Sequence, residues 1–258
     1  MPKKSQNESR LEIRQLVSCP PAKVMVTGPH RTGKHDFISL DLRALTSESD
    51  FLEVDGTIDG ARQSQNFIKT TPITGDFRIV LVDGRKNLTE PAQDAYLKIC
   101  EDTPESSSIV IVVNDDQLVR PALTSRMDHV WWCPMDRDEM VAFMSSSEIQ
   151  EDDFIVNVVR GRHELCKPIS SNMDEMKRLY ASACRIVAGN PDLSCVPRLI
   201  LEWSKLDDDV KDVALAVCEH ASRFEHGPFS GMMSRFVHTV RTVSSVNVET
   251  HWWRSCLV

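Results

Sequence analysis

Residues 23–35 carry the stretch KVMVTGPHRTGKH, in which an alternating, β-branched segment leads directly into a loop bounded by glycines. The segment 23–28 has the pattern of a β-strand, and the residues after the loop have the pattern of a helix. Gly28, Gly33 and Lys34 fit the phosphate-loop pattern G-x-x-x-x-G-K-[ST], which lies between a strand and a helix. The glycines let backbone N–H groups surround phosphates, and the helix N-terminus adds positive potential. The stretch therefore predicts a fold that begins with a strand–loop–helix unit.

The last position of this motif departs from the pattern. His35 stands where a Ser or Thr hydroxyl would bind Mg²⁺, and neutral imidazole is a poor magnesium ligand. Lys34 keeps the place from which a lysine reaches the β- and γ-phosphates. Three interpretations are open for these residues: a working nucleotide site, a weakened or vestigial one, and a tight turn that binds nothing.

Strand and helix patterns alternate along the chain as far as Pro134. Further strands are predicted at 50–56, 77–84, 107–114 and within 127–135, and helices at 34–45, in the middle of 57–72 and at 89–102. In the helix 57–72, the residues Ile58, Ala61, Gln65 and Ile68 fall roughly on one face. This alternation predicts a doubly wound, mostly parallel sheet with helices on both faces, and it places ligand chemistry at the carboxyl ends of the strands.

Polar residues stand at the ends of two predicted strands. Asp83 has the position of a Walker B carboxylate that holds Mg²⁺ through water, although an ordinary strand-to-turn Asp-Gly fits equally well. Gly84 stands where an ATPase would have a Glu to activate water, so no catalytic base is evident. Asn114 has the position of a polar sensor of the γ-phosphate. Arg126, after Ser125, lies in the connection to the last strand, where a solvated surface charge is the alternative.

The pattern changes after Pro134, where the apolar periodicity becomes helical throughout. Helices are predicted at 136–144, 151–161, 174–189, 194–206, 207–224 and 229–245. The sequence therefore predicts an α/β module followed by an all-helical half.

Composition excludes several classes of protein. With 30 basic and 38 acidic residues, the net charge of −8 is unsuited to coating nucleic acid by charge alone. Apolar runs are far shorter than the roughly 20 residues that a membrane helix needs, and the N-terminus lacks the apolar core of a signal peptide. We therefore expect a cytoplasmic protein without a membrane partner. The eight cysteines lack CxxC spacing, which predicts core thiols and no zinc site.

The order of these motifs resembles the AAA+ module of clamp-loader subunits, and most of all the delta-prime subunits of the bacterial DNA polymerase III clamp loader. The segment AQDAYLKICEDTP (92–104) is similar to that family's A-x-N-A-L-L-K-x-L-E-E-P-P, and LTSRM (123–127) is similar to its T-I-x-S-R-C. VVRGRHEL (158–165) resembles its lid helix, and SSVNVETHWW (244–253) resembles its last helix weakly. Met127 replaces the family's Cys, and the family's zinc-binding cysteines are missing. The short chain is compatible with a version encoded by a phage or another mobile replicon.

The resemblance implies a RecA-like AAA+ domain at 1–134, a small helical lid at 135–170 and an all-helical collar at 171–258 through which the subunit oligomerises. A pentamer of clamp-loader subunits would place a sliding clamp on primer–template DNA. A delta-prime-like subunit is a stator that need not hydrolyse ATP, and it would offer Arg126, helped by Ser125, as an arginine finger to a neighbour's ATP.

The resemblance also implies a degenerate nucleotide site for ATP or ADP, with Mg²⁺ binding in doubt. Its residues would be Gly28, Gly33, Lys34, His35, Asp83, Asn114 and, from the lid, Arg162. Two other functions fit the sequence: an autonomous AAA+ ATPase or motor loader subunit, and a non-enzymatic interaction protein that keeps the AAA+ fold.

Overall fold

The computed structural model describes residues 4–85, 88–114, 119–188 and 208–224 of the chain. Its strands are β1 Ala22–Thr27, β2 Phe51–Asp55, β3 Arg78–Asp83, β4 Ser107–Val112 and β5 Asp128–Trp131. Its helices are α1 Gln6–Val17, α2 Lys34–Arg43, α3 Ile58–Ile68, α4 Glu90–Glu101, α5 Pro121–Thr124, α6 Arg137–Ser146, α7 Asp153–Val159, α8 Cys166–Ser171, α9 Met173–Val187 and α10 Asp208–Phe224. All five predicted strands are confirmed.

The five strands form one sheet in the order β2-β3-β4-β1-β5, and every neighbouring pair is parallel. Val24 pairs with Val110 of β4 and with Asp128 of β5, so β1 lies between those two strands. Because parallel strands end at the same edge, the segments that follow β1, β3 and β4 lie side by side. The predicted RecA-like α/β fold is confirmed, and its carboxyl edge holds the candidate site.

Alternate residues of the strands pack on opposite faces of the sheet. In β3, Val80 and Val82 belong to a core cluster with residues of α3 and α4, whereas Ile79 and Leu81 belong to a second cluster with residues of α1 and α2. Both faces are therefore covered by helices, as a sheet buried on both sides requires.

The N-terminal helix α1 was not predicted. Ser5 accepts a hydrogen bond from the backbone of Glu8, whose side chain accepts one from the Ser5 backbone, and this capping box starts the helix. The buried residues of α1 are Gln6, Ser9, Ile13 and Val17. Since two of these four are polar, the apolar periodicity that would reveal the helix is hidden.

The buried face of α3 includes two residues that the prediction did not name, Gly60 and Ser64. Gly60, Ala61, Ser64 and Ile68 are buried, whereas Ile58 and Gln65 are only half-buried. A side chain at Gly60 would come within 2.3 Å of the Asp55 carbonyl oxygen, so the helix approaches the sheet there. Ala61 and Ile68 are buried as their shared face predicts, while the burial of Gly60 reflects a close backbone contact that hydrophobicity does not reveal.

The described residues divide into two compact units. The first comprises the residues up to Glu139 together with Gly161–His163, and the second comprises Met140–Arg160 with the residues from Glu164 onward. The helices predicted at 136–144, 151–161, 174–189 and 207–224 are confirmed. The helices predicted at 194–206 and 229–245 lie outside the described residues, and the domain limits at 134 and 170 stay predictions. None of the described helices has both the length and the apolar composition of a membrane span.

Cysteines contribute to the core. Cys100, Cys133, Cys166 and Cys218 are buried with free thiols, whereas Cys19 is exposed. Burial raises the pKa of the Cys100 thiol to about 11, so this side chain is a small apolar residue at neutral pH.

Candidate functional site: the carboxyl edge of the sheet

The loop between β1 and α2 is held in a glycine-dependent conformation. Gly33, the residue before α2, has φ of 60°, in the left-handed region. A Cβ atom at Gly33 would lie 2.4 Å from Cε1 of His163, and one at Gly28 would lie 2.7 Å from the carbonyl oxygen of Trp132. Both glycines are therefore required by close contacts, which the phosphate-loop pattern alone does not reveal.

Lys34 points into its own loop. The residue is 2% exposed, and its Nζ donates hydrogen bonds to the carbonyl oxygens of Gly28 and Pro29, each at 3.0 Å. Nζ also donates to Oδ1 of Asn114, which follows β4. The ammonium group that would neutralise a phosphate is thus surrounded by oxygens of the protein itself.

Asn114 joins two of the loops at this edge. Its Nδ2 donates to the carbonyl oxygen of Arg85 at 2.9 Å, while its Oδ1 accepts from Lys34. The sensor position therefore connects the loop after β1 to the loop after β3, through side-chain and backbone groups together.

Asp83, at the end of β3, is engaged by Arg85 through both carboxylate oxygens. Nε of Arg85 lies 2.8 Å from Oδ1, Nη2 lies 2.9 Å from Oδ2, and the Arg85 backbone N–H also donates to Oδ1 at 3.1 Å. Burial alone would raise the pKa of Asp83, but the hydrogen bonds from Arg85 outweigh that effect and hold the pKa below its ordinary value. Asp83 is therefore ionised and already paired with a cation.

His35 occupies the position of the missing hydroxyl. Its side chain is 8% exposed, with Nε2 at 3.4 Å from Oε1 of Glu53 and Nδ1 at 3.4 Å from Oδ1 of Asp36. A magnesium ion coordinated by this fold would need an oxygen from this position and a reachable Asp83 carboxylate. The residues present do not fit that ion, because one ligand is an imidazole and the other is covered by Arg85.

Gly84 completes the strand end. Its N–H donates to the carbonyl oxygen of Val112 at 2.9 Å. A Cβ atom at Gly84 would lie 3.0 Å from Cγ1 of Val113 and 3.1 Å from that same carbonyl oxygen. A catalytic Glu at this position would therefore require its surroundings to shift.

Arg126 and Ser125 lie at the opposite edge of the sheet. Ser125 directly follows α5, and β5 begins two residues after Arg126, with Asp128 level with Val24 of β1. Because the strands are parallel, this connection lies at the amino edge, away from the loop between β1 and α2. Nη1 of Arg126 donates to the Ala122 carbonyl oxygen at 2.9 Å.

Arg162 belongs to the chain's first compact unit, in a short segment of which His163 contacts the loop after β1. Its neighbour His163 packs edge-on against Phe37 of α2, with ring centroids 5.2 Å apart. The backbone N–H of Met135 donates to the Gly161 carbonyl oxygen at 3.3 Å, which ties this short segment to the end of the α/β module.

The structure brings together five of the predicted site residues, namely Gly28, Gly33, Lys34, Asp83 and Asn114. Sequence reasoning missed Arg85 and His163. A basic residue two positions after Asp83 is visible in the sequence, but its return onto that carboxylate depends on the loop conformation. The contact of His163 with the loop is long-range and has no local pattern.

Comparison with known proteins supports the family resemblance in part of the chain. Residues 24–135 match the sequence model of a family described as DNA polymerase III, delta subunit. This segment contains nearly the whole sheet and the carboxyl-edge residues, and the resemblance to clamp-loader subunits is confirmed over it. No curated protein matches the sequence.

A solved structure with a TM-score above 0.5 shows the shared fold. A DNA polymerase III, gamma subunit-related protein from Thermotoga maritima is similar with a TM-score of 0.56 and 15% identity, over 93% of this chain and 95% of that one. The DNA clamp loader delta protein of Bacillus subtilis has a TM-score of 0.42 and 12% identity, over 93% and 96% of the two chains. RuvB of Thermotoga maritima has a TM-score of 0.47 and 12% identity, over 67% and 64%.

Proposed function

We propose that this chain is a clamp-loader subunit that acts as a delta-prime-like stator. It assembles with other loader subunits into a pentamer, which opens a sliding clamp and places it on primer–template DNA in the cytoplasm. It does not turn over ATP itself. Its contribution to catalysis is Arg126, which neutralises charge on the ATP of a neighbouring subunit.

The match of residues 24–135 to the DNA polymerase III family supports the general class. The observation that carries the stator assignment is Gly84. This residue supplies no carboxylate to activate water, and a Cβ atom there would lie 3.0 Å from Cγ1 of Val113, so a larger side chain would require a small shift of its neighbours. A subunit of this class without a catalytic base is best suited to supporting its neighbours.

The position of Arg126 supports a role in trans. Its side chain is 40% exposed at the amino edge of the sheet, so a neighbouring molecule can approach it. The planar guanidinium can contact two phosphate oxygens at once, which an ammonium group cannot do. Ser125 precedes it and donates its hydroxyl to the Ala122 carbonyl oxygen at 3.1 Å, which helps to fix the end of α5.

For the chain's own loop we propose at most weak binding of ATP or ADP, without Mg²⁺. Gly28, Gly33 and Lys34 would be the contacts, together with Arg162 from the segment beside them. Lys34 would have to leave the carbonyl oxygens that it contacts in this structure, and this exchange weakens any such binding.

The test is the composition of the native complex. We expect native mass spectrometry of the chain, co-expressed with the replication proteins of its source, to show a hetero-pentamer. We also expect the isolated chain to have no ATPase activity. A homo-oligomer with Mg²⁺-dependent hydrolysis that Lys34→Ala abolishes would identify an autonomous ATPase instead. A complex without other loader subunits would identify an interaction protein that kept the fold.

A further inference from the structure

We propose that Arg85 is the resident cation of the β3 strand end, that it replaces a divalent metal ion there, and that it fixes the phosphate loop through Asn114. This inference concerns the chain alone, so it does not depend on the stator role. The residues involved, Asp83, Arg85, Asn114 and Lys34, are called the strand-end network below.

The contact of Arg85 with Asp83 has the geometry of a two-pronged pair. The Nε–Oδ1 distance is 2.8 Å and the Nη2–Oδ2 distance is 2.9 Å, so each carboxylate oxygen accepts from its own donor. Such pairs are stronger and more directional than single contacts between charged groups. Both side chains are 25% exposed, so solvent only partly screens the interaction. A metal ion would have to displace the guanidinium before it could approach Asp83.

The backbone of Arg85 also contacts Asn114. Its carbonyl oxygen accepts from Nδ2 of Asn114 at 2.9 Å. The conformation that brings the Arg85 guanidinium back onto Asp83 therefore also presents this carbonyl to the sensor residue. Loss of the ion pair would free the loop backbone and weaken the contact with Asn114.

Asn114 in turn holds Lys34, whose Nζ continues to the carbonyl oxygens of Gly28 and Pro29. The strand-end network thus runs from β3 across β4 to β1, which are adjacent in the sheet. Each of its four side chains makes at least one hydrogen bond within the protein, and such linked contacts help to stabilise one conformation. In this chain, the contact between Asn114 and the Arg85 carbonyl oxygen connects Arg85 to the loop after β1.

The residue at position 35 also agrees with the proposal that Arg85 replaces a metal ion at the carboxyl edge. His35 replaces the hydroxyl that would complete a magnesium site, and its ring contacts Glu53 on β2. His35 thus takes the place of one metal ligand, and Arg85 covers the other ligand, Asp83, at the same edge of the sheet. A chain that lost the metal without replacing its charge would leave Asp83 as a partly buried, unpaired carboxylate, which is costly.

The test compares Arg85→Ala with the wild-type full chain by amide hydrogen exchange of residues 28–34 and by Mn²⁺ binding, measured from the electron paramagnetic resonance of free Mn²⁺. We expect Arg85→Ala to exchange these amides at least about tenfold faster, as the loss of a charged hydrogen bond implies. We also expect it to bind more Mn²⁺ than the wild type does, because the Asp83 carboxylate is uncovered.

Arg62→Ala is the matched control, since Arg62 pairs with Asp59 at 2.9 Å on the exposed surface of α3. It should change neither measurement. If Arg85→Ala does not fold, Arg85→Gln provides the same test, because it keeps a polar side chain and removes the charge.

Exchange in the Arg85 variant within about threefold of the wild type would overturn the fixing of the loop. Mn²⁺ binding by the variant that does not exceed that of the wild type would overturn the replacement of a metal. Both readouts use the isolated chain, so they can fail while the clamp-loader proposal holds, and the reverse is also true.

Discussion

Arg126 and Glu101 form an ion pair in which Nη2 of the arginine lies 2.9 Å from Oε1 of the glutamate. Glu101 is the last residue of α4, and Arg126 follows α5, so the pair joins the ends of two consecutive helices. The arginine that we propose to act on a neighbour's ATP is therefore held by a carboxylate of its own chain in the structure. Assembly would require it to exchange one anionic partner for another.

Glu101→Gln tests this exchange. Because the two side chains are 40% and 49% exposed, solvent screens the pair, and it contributes less than about 1 kcal/mol. We expect the variant to keep its thermal midpoint within about 2 °C and to bind the neighbouring ATP-bearing subunit up to about fivefold more tightly. Surface plasmon resonance against the remaining subunits measures the affinity, and weaker binding would show that Glu101 itself contributes to the interface.

Lys34→Ala should destabilise the chain in the absence of any nucleotide. The substitution removes a buried ammonium and leaves the carbonyl oxygens of Gly28 and Pro29 and the amide of Asn114 without that donor. We expect the free energy of unfolding to fall by about 1–3 kcal/mol, measured by urea denaturation.

Lys98→Ala, on the exposed face of α4, is the control for Lys34→Ala and should have little effect. A lysine that serves only to contact phosphate would leave the stability of the ligand-free chain unchanged. An unchanged denaturation midpoint in Lys34→Ala would therefore contradict the structural role described above.

Asp50 anchors the segment before β3. Its fully buried carboxylate accepts hydrogen bonds from the backbone N–H groups of Ile73, Thr74 and Gly75, at 2.7, 2.8 and 2.9 Å, and from the Ser47 hydroxyl at 2.9 Å. Burial alone would raise the pKa of Asp50, but these hydrogen bonds outweigh it and hold the pKa well below its ordinary value. The ionised form is thus strongly favoured by the fold.

Asp50→Asn should lower the free energy of unfolding by about 2–4 kcal/mol at neutral pH, because an amide N–H₂ then faces backbone donors. A carboxyl group with a lowered pKa contributes its full stability above its unfolded pKa, roughly 4, and loses that contribution as the pH falls further. The difference between wild type and variant should therefore shrink below about pH 4. Urea denaturation across this range measures it, with the exposed Asp59→Asn as control, and a difference independent of pH would contradict the assignment.

The local patterns predicted most of the α/β fold because its strands are short apolar runs between turn residues. The sheet order does not follow from such patterns, since it depends on which buried strands pair with each other. Hydrophobic periodicity does not reveal helix α1, because the polar residues Gln6 and Ser9 occupy two of its buried positions. The capping box of Ser5 and Glu8 was the available sequence indication.

Site residues could be predicted from the sequence where a motif specifies the residue type at that position. Contacts that depend on the conformation of a loop could not be predicted. Gly28, Gly33, Lys34, Asp83 and Asn114 were placed together by their positions after strands. The pairing of Arg85 with Asp83 and of Arg126 with Glu101 depends on how exposed loops and helix ends turn, which hydrophobicity and spacing do not encode.

The most direct measurement of the central claim is the clamp- and DNA-stimulated ATPase rate of a reconstituted loader that contains Arg126→Ala. Arg120→Ala is the matched control, since Arg120 is 44% exposed and pairs with Glu90 and Asp94 on the same helix α4. We expect both variants to assemble.

The account predicts that Arg126→Ala slows clamp loading and lowers the stimulated ATPase at least about twofold, with little rescue by Arg126→Lys, whereas Arg120→Ala changes neither. The fall is smaller than the roughly 10³–10⁵ that a single arginine finger contributes, because only one of several active sites is affected. Wild-type loading and ATPase rates in a fully assembled Arg126→Ala complex would contradict the account and show that Arg126 is a surface charge.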